Sequence, residues 1–584
     1  MNILHKFSIK LRTTNPKKGT PKRRPDTPSH LRLTRLGVST VAALLALIPL
    51  SGRTGELQLA DSPLFLANSV QPNIFFMADD SGSMDWEVLL NAGAIGANSG
   101  DLNLTPATNE ERSEFCVGYN VLAYDPNVRY TPWIGKDNAS PAAPFQDAEL
   151  MEALGFAEIR RNPYCPKTDT TSSDCNDATN NGVVNLTDPA ALTIAYFPWN
   201  DADSDGDFDA GECGDVTSFT AAVTWAELPT HDPDGDAQPG TPTVPGAEQQ
   251  TNYANWFSYY RKREYVVKRA ASGLLAGSQR RVGMSSLHNN QNIGTPIQDM
   301  DDITLPVNPV AQANKDALLR NLSRIRSTGG TPLRVGLENV GQYYEGSASA
   351  GWQTALFNGS PNHDISETVS TLSPIFNADN GGSCQQNFTV LLSDGFWNGV
   401  DDPSVGNTDI EGPGPFDGDP YEDNVSNTLA DVAMHYYERD LRSDLNNNVP
   451  VISSVDNNTA QHMNTYTVAF GLQGTLPESV TANCPTTGAF SWPTPIADDP
   501  TTLDDMFHAA CNGRGLYLNA AKPGQLTQRL QDAIDRIDDQ IGTAASVATT
   551  SGTLTANSRV FQARFRSGEW SGDLFSVQLD LANE

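Results

Sequence analysis

Short apolar runs and stretches of helical periodicity alternate along most of the chain. "NIFFMAD" at 73–79 has the continuous apolar character of a strand buried on both faces, and it ends in the polar turn "DSGS". Apolar positions then recur with a helical period from 253 to 277, without a breaker until Gly273. Strand-like "RVGMSSLH" at 281–288 precedes a helix predicted at 314–325 and another from Pro332 to about Tyr344. A β run at 387–394, a helix at 426–441, a strand at 465–472, a short helix near 503–510, a strand at 515–520 and a helix at 523–541 continue the pattern. The alternation predicts an α/β fold: a doubly wound, mainly parallel sheet with helices on both faces.

Long stretches rich in Gly, Pro, Asn and Asp interrupt these elements, the largest at 93–250 and smaller ones at roughly 346–385 and 396–425. Loops of that length are uncommon in a compact domain, so they read as insertions with functions or ligands of their own. No tandem repeat of fixed period is present. A small polar linker follows at 542–556, and at 557–584 alternating apolar and polar residues around Ser567-Gly568 and Ser571-Gly572 predict β-hairpins, the start of an all-β module.

Charge sharpens this outline. The 584 residues carry 38 Lys+Arg and 70 Asp+Glu, a net of −32, which argues against nucleic acid as a partner. Residues 1–55 hold 11 basic side chains and one acid, Asp26, leaving 27 basic and 69 acidic residues elsewhere, a net of −42. The basic region precedes an uncharged run from Gly37 to Leu50, too short for a comfortable membrane span and suited to a secretory signal. The expected product is exported and, once the signal is removed, has no stable membrane span. Export permits disulfides among Cys116, Cys165, Cys175, Cys213, Cys384, Cys484 and Cys511. No Cys-x-x-Cys pair occurs, and the odd count leaves one thiol free or paired between chains. Cys165 with Cys175 and Cys484 with Cys511 are only the nearest pairs in sequence.

The most specific chemistry is Asp79-x-Ser81-x-Ser83, directly after the first strand. A carboxylate and two hydroxyls alternating on a Gly82-containing turn present three hard oxygen donors, the type that selects Mg²⁺, Mn²⁺ or Ca²⁺. Thr331 in "STGGTPL" and Asp394 at the end of "FTVLLSD" can complete the set. The plain alternative is a turn whose side chains cap the next helix. "FFMADDSGSM", "GGTPL" and "VLLSDG" resemble the metal-ion-dependent adhesion site of von Willebrand factor type A domains. That resemblance implies metal coordination by the Ser81, Ser83 and Thr331 hydroxyls, with Asp79 and Asp394 acting directly or through water. It also implies an open coordination position for a partner's carboxylate. The chain departs from the family's pattern in placing Asp79 and Thr331 far apart in sequence, with the 93–250 insertion between them.

That insertion carries a second signal. "DADSDGDFDAGE" places Asp201, Asp203, Asp205, Asp207, Asp209 and Glu212 at the ligand positions of an EF-hand-type calcium loop, with Gly206 at its sharp turn. Such crowded carboxylates repel unless a cation neutralises them. A weaker copy runs through Asp177, Thr179, Asn181, Val183, Asn185 and Asp188, with Thr179 less usual at its position; it resembles the loop of dockerin modules. Calcium in these loops would order the insertion. "DPDGD" at 232–236 and "FDGDPYEDN" at 416–424 read as acidic turns.

"YNVLAYDPNVRYTPW" at 119–133, "NYANWFSYYRKREYVVKRA" at 252–270, "YEDNVSNTLADVAMHYYERDL" at 421–441 and "MFHAACNGRGLYLNA" at 506–520 resemble the PilY-type type IV pilus biogenesis factors, the pilus tip-associated adhesins of Gram-negative bacteria. The resemblance implies a von Willebrand factor A-like domain over 73–541, a following calcium-binding β-propeller whose first strands the last residues resemble, and partners among pilin, minor pilins and a host or surface receptor offering a carboxylate. Expected locations are the periplasm, the outer cell surface and the pilus tip. A competing expectation is an exported metal-dependent enzyme, a hydrolase or quinoprotein-like oxidoreductase whose catalytic part is missing. No Gly-x-Ser-x-Gly, His-Glu-x-x-His or Walker loop supports that reading. A third is a calcium-loaded matrix protein with a vestigial site. Trp256, Tyr259 and Tyr260 read as core aromatics, and His508 as structural.

Overall fold

The computed structural model describes residues 70–90 and 102, most of 113–165, scattered residues between 175 and 212, 246–288, 293–300, 309–358, 373–398, 403–543 apart from 413, 453 and 454, and the segments 548–549, 559–566 and 571–578. The proposed signal at 1–55 lies outside the described residues. Apolar runs become the strands β1 (Asn73–Ala78), β2 (Arg281–Ser286), β3 (Thr295–Asp299), β4 (Asn387–Ser393), β5 (Met463–Phe470) and β6 (Arg514–Ala520). They form one six-stranded sheet in the order β3-β2-β1-β4-β5-β6. All neighbours are parallel except β3, which pairs antiparallel with β2 at the edge.

The period of two along each central strand divides its side chains between two cores. Phe75, Met77 and Leu391 face one side with α4 (Leu333–Glu345), α6 (Leu429–Glu438) and α7 (Thr501–Asn512). Ile74, Phe76, Phe388, Val390 and Leu392 face the other, against α2 (Arg263–Gly277), α3 (Pro309–Arg324) and α8 (Pro523–Thr543). A mainly parallel sheet with helices on both faces is therefore what the chain forms. At the other end of the chain, Arg559–Arg566 (β7) and Ser571–Gln578 (β8) pair antiparallel, and Ala548–Thr549 adds a third short strand.

Three differences from the sequence pattern have physical causes. Periodicity over 253–277 predicts one helix; there are two, α1 (Gly246–Tyr259) and α2, because Arg261 and Lys262 leave the helical path to reach the buried Glu87 and the half-buried Asp85, and Lys262 is extended. The loop expected at 346–385 contains the helix α5 (Ala350–Asn358), whose Trp352 packs on Phe75. Strand β3 carries no clear β signal, since Pro296 is tolerated only at a sheet edge. Its backbone comes so close to β2 that a Cβ on Gly283 would lie 2.7 Å from the Ile297 nitrogen.

The insertion has a core of its own, of aromatics. Tyr124, Tyr130, Trp133 and Phe145 pack against Tyr253, Trp256, Phe257, Tyr259 and Tyr265. Polar groups fix the register: Asn252 Oδ1 accepts from the Tyr130 nitrogen at 2.8 Å, Asn255 Oδ1 from Ala148 at 2.9 Å, and Trp256 Nε1 donates to Leu122 oxygen at 2.8 Å. Trp256 and Tyr259 are thus core residues, with Tyr260 half-buried beside them. Disulfides join Cys165 to Cys175 and Cys484 to Cys511, Cys116 is also oxidised, and Cys384 is free and exposed. Among the described residues no helix is long and apolar enough to cross a membrane.

The acidic turn at 416–424 folds onto α6 and α7 through buried polar groups. His508 stacks on Trp492 with ring centroids 3.8 Å apart, and Nε2 donates to the Tyr421 carbonyl; burial pushes its pKa down to about 3, so it is a neutral structural histidine. Asp409 accepts from Asn512 at 2.9 Å, yet burial and then the neighbouring Asp431 and Asp423 push its pKa up to about 8. Because the folded value lies above the unfolded one, its stabilising contribution is complete below about pH 4 and is lost as pH rises through about 8. Urea unfolding midpoints should therefore fall between pH 5 and pH 8, and more steeply in the wild type than in Asp409→Asn. Parallel slopes would contradict the assignment.

Candidate metal centre

In a doubly wound sheet, ligands bind beyond the carboxyl ends of the strands where strand order reverses. Here the reversal lies between β1 and β4, whose pairing of Ala78 with Leu392 sets Asp79 beside Ser393 and Asp394. Asp79 donates its backbone nitrogen to Leu392 oxygen at 3.0 Å, which fixes where β1 stops. Its carboxylate then accepts from the Ser81 nitrogen at 2.7 Å and from the Ser393 hydroxyl at 2.5 Å. Ser81 opens a single 3₁₀ turn, yet its side chain makes no cap hydrogen bond. Instead its hydroxyl lies 3.1 Å from that of Ser83, which donates to Asp394 Oδ1 at 3.0 Å. The Asp79 carboxylate thus forms an Asx turn with Ser81, while the Ser81 and Ser83 hydroxyls are turned toward each other and Asp394.

Thr331 is brought in by backbone contacts. Gly82 nitrogen donates to Gly329 oxygen at 3.0 Å, and Asp80 oxygen accepts from Thr328 nitrogen at 2.7 Å. Gly329 has φ +88°, in the left-handed region that glycine tolerates, and a Cβ on Gly330 would lie 2.8 Å from Asn398 Oδ1. Asn398 closes the ring: Oδ1 accepts from Thr331 nitrogen at 2.7 Å, and its backbone nitrogen donates to Thr331 oxygen at 3.1 Å. All five predicted residues thus fall in three adjoining turns, with Asp79, Ser81, Thr331 and Asp394 buried and Ser83 half-buried.

Every one of these donors is a hard oxygen, the chemistry of Mg²⁺, Mn²⁺ or Ca²⁺ rather than of zinc or copper. Adjacent oxygens around an octahedral magnesium at about 2.1 Å lie about 3 Å apart, and the Ser81–Ser83 and Ser83–Asp394 separations of 3.1 and 3.0 Å suit such an edge. Burial, and then the charge of Asp394, push the Asp79 pKa up to about 7. A cation would relieve both effects. The set has two carboxylates, and among the described residues no group of three or more His, Cys, Asp or Glu gathers as a metal cluster.

Four contributors carry no motif signal. Ser393 orients Asp79, Asn398 joins two turns, and Arg263 donates to Asp394 Oδ2 at 2.7 Å from 131 residues away. Asp80, also buried, accepts from His288 at its nitrogen (3.2 Å) and Nδ1 (2.8 Å), which raises the histidine pKa.

Of the calcium-loop residues, Asp201, Asp205, Asp207 and Asp209 lie outside the described residues, as do Asp177, Thr179, Asn181 and Asp188 of the weaker loop. The described ends of the first loop meet: Glu212 is buried, its carboxylate accepts from Ala202 nitrogen at 2.9 Å, and its carbonyl accepts from Asn200 at 2.8 Å, while Asp203 is exposed. In the second, Val183 pairs with Arg160 and Asn185 Oδ1 accepts from Thr187 nitrogen at 2.9 Å, an Asx turn.

No family model matches the chain. Two curated proteins named type IV pilus biogenesis factor PilY1, from Pseudomonas aeruginosa strains PAO1 and PAK, are 26% and 27% identical to it, each alignment covering 93% of this chain. The chain spans about half the length of these relatives, 45% and 46% respectively. Among solved structures, the open conformation of the pilus adhesin SpaC from Lactobacillus rhamnosus GG aligns over 54% of this chain and 34% of that one, at 11% identity and a TM-score of 0.25. A likeness that slight carries no argument.

Asn398→Ala should leave the Thr331 amide without its partner and destabilise the protein by roughly 1–3 kcal/mol. Urea unfolding of the two proteins checks this; equal midpoints would mean that the bridge does not hold Thr331.

Proposed function

We propose, from the premise that this chain is related over 93% of its length to the PilY-type type IV pilus biogenesis factors, that it serves as an exported pilus tip-associated adhesin and assembly factor working through a divalent-metal adhesion site. The sheet order and the three turns at its reversal point support a von Willebrand factor A-like domain. Its metal would be held by Ser81, Ser83 and Thr331, with Asp79 and Asp394 direct or through water. The single observation that carries the reading is the chain of contacts from Ser81 through Ser83 to Asp394, hydroxyls directed at one another rather than spent on capping.

When bound, the ion supplies an electrophilic position for a carboxylate of a partner. The chain's own residues do the rest: Ser393 orients Asp79, Asn398 fixes Thr331, and hydroxyl donors leave the ion more of its charge than carboxylates would. Partners of matching chemistry are pilin, minor pilins and an acidic surface receptor, and the role is binding rather than catalysis. The location is the cell envelope, outer surface and pilus. Calcium in the loop ending at Glu212 would order the insertion, and the β7–β8 hairpin would begin a propeller.

In piliated cells, Asp79→Ala combined with Ser81→Ala should lower divalent-dependent attachment at least about tenfold, the loss expected when a metal-bridged contact is removed. Attachment and pilus display equal to wild type would refute the mechanism. Calorimetric calcium titration should find one site fewer in Asp201→Ala/Glu212→Ala; equal stoichiometry would mean that the loop holds no calcium.

A further inference from the structure

Arg261 and Lys262 lie in the break between α1 and α2, Arg263 and Glu264 open α2, and all four residues are buried. Each pairs with the surroundings of the metal turns. Arg261 Nε meets Glu87 at 2.6 Å and Lys262 Nζ meets Asp85 at 2.6 Å, both on the segment that follows Ser83. Glu264 Oε2 accepts from the Ser327 nitrogen at 3.0 Å and hydroxyl at 2.6 Å, just before Thr331. Arg263 alone touches a proposed ligand, Asp394.

Asp394 divides its oxygens between two roles. Oδ1 accepts from the Ser83 hydroxyl on the side of the proposed ion, and Oδ2 accepts from Arg263. The guanidinium is held in place: Nε and Nη2 donate to Val88 oxygen at 3.2 and 2.8 Å, and its carbon lies 4.8 Å from the Trp86 ring centroid. A guanidinium so fixed places a positive charge one carboxylate away from the metal position. Lys262 and Arg261 are matched by their own acids, and Asp80 by His288, so Arg263 is the cation set against the ligand pair itself.

We propose that Arg263 is a built-in cation of the adhesion site that weakens metal binding and leaves the loaded site more positive, favouring capture of a carboxylate ligand. The inference rests on the metal-site reading above. It separates from a purely positioning role by sign. If Arg263 only aimed Asp394, its loss would misplace a ligand and weaken metal binding. As a counter-charge, its loss leaves Asp394 uncompensated and strengthens metal binding.

The test is Mn²⁺ binding to the whole chain by electron paramagnetic resonance, the site being defined as the ion lost in Asp79→Ala/Ser81→Ala. Arg263→Gln, which keeps a donor for Asp394, should bind Mn²⁺ about tenfold or more tighter, the size expected for losing one nearby charge. Arg263→Lys should stay near wild type. Acetate, as a carboxylate probe followed by its line broadening on the Mn²⁺-loaded protein, should bind more weakly to Arg263→Gln. A variant unfolded without metal but folded by Mn²⁺ would support the proposal, because the ion then takes over the neutralisation. Equal or weaker Mn²⁺ binding, or a variant that Mn²⁺ cannot fold, would overturn it. If wild type and Asp79→Ala/Ser81→Ala bind the same number of Mn²⁺ ions, the metal-site reading itself fails instead.

Discussion

Two carboxylates, Asp79 and Asp394, lie buried side by side at the carboxyl ends of adjacent central strands, and the surroundings must compensate that charge. Burying like charges together is costly unless hydrogen bonds and opposite charge offset it. The chain answers with Ser393 and the Ser81 amide on Asp79, and with Ser83 and Arg263 on Asp394. Much of the local architecture follows from this need. Strand β1 stops where it does, two glycines let the Thr331 turn approach, and the helix after the insertion breaks so that its basic residues can reach inward.

The insertion, separating β1 from α2 in sequence, is tied back to the site by the same residues. Its aromatic core holds α1, and the junction between α1 and α2 delivers Arg261, Lys262 and Arg263 to acids beside the metal turns. A large excursion of the chain is thereby made continuous with the site rather than appended to it. Order in the insertion and geometry at Asp394 are linked through one short segment.

The central sheet was legible because strands buried on both faces read as uninterrupted apolar runs, and because the alternation with helices leaves few other architectures. Asp79, Ser81 and Ser83 were legible because a period of two on one turn is a local pattern, and Thr331 and Asp394 because each ends a recognisable element. Ser393, Asn398 and Arg263 were not, since their significance lies in partners tens to hundreds of residues away and an arginine in a helical pattern looks like a solvated face. The break at 260–262 escaped for the same reason: periodicity registers residue type, whereas the backbone follows buried charge. Strand β3 was hidden by its shortness and by Pro296, and α5 by a neighbourhood rich in Gly and Ser.

In the proposed mechanism the three turns at the sheet's reversal point hold a divalent ion. Anomalous diffraction from crystals of the protein soaked in Mn²⁺ tests it directly. A peak is expected about 2.2 Å from the hydroxyl oxygens of both Ser81 and Ser83, as hard-cation coordination requires. Saturating Mn²⁺ with no density between these hydroxyls and Asp394 would contradict it.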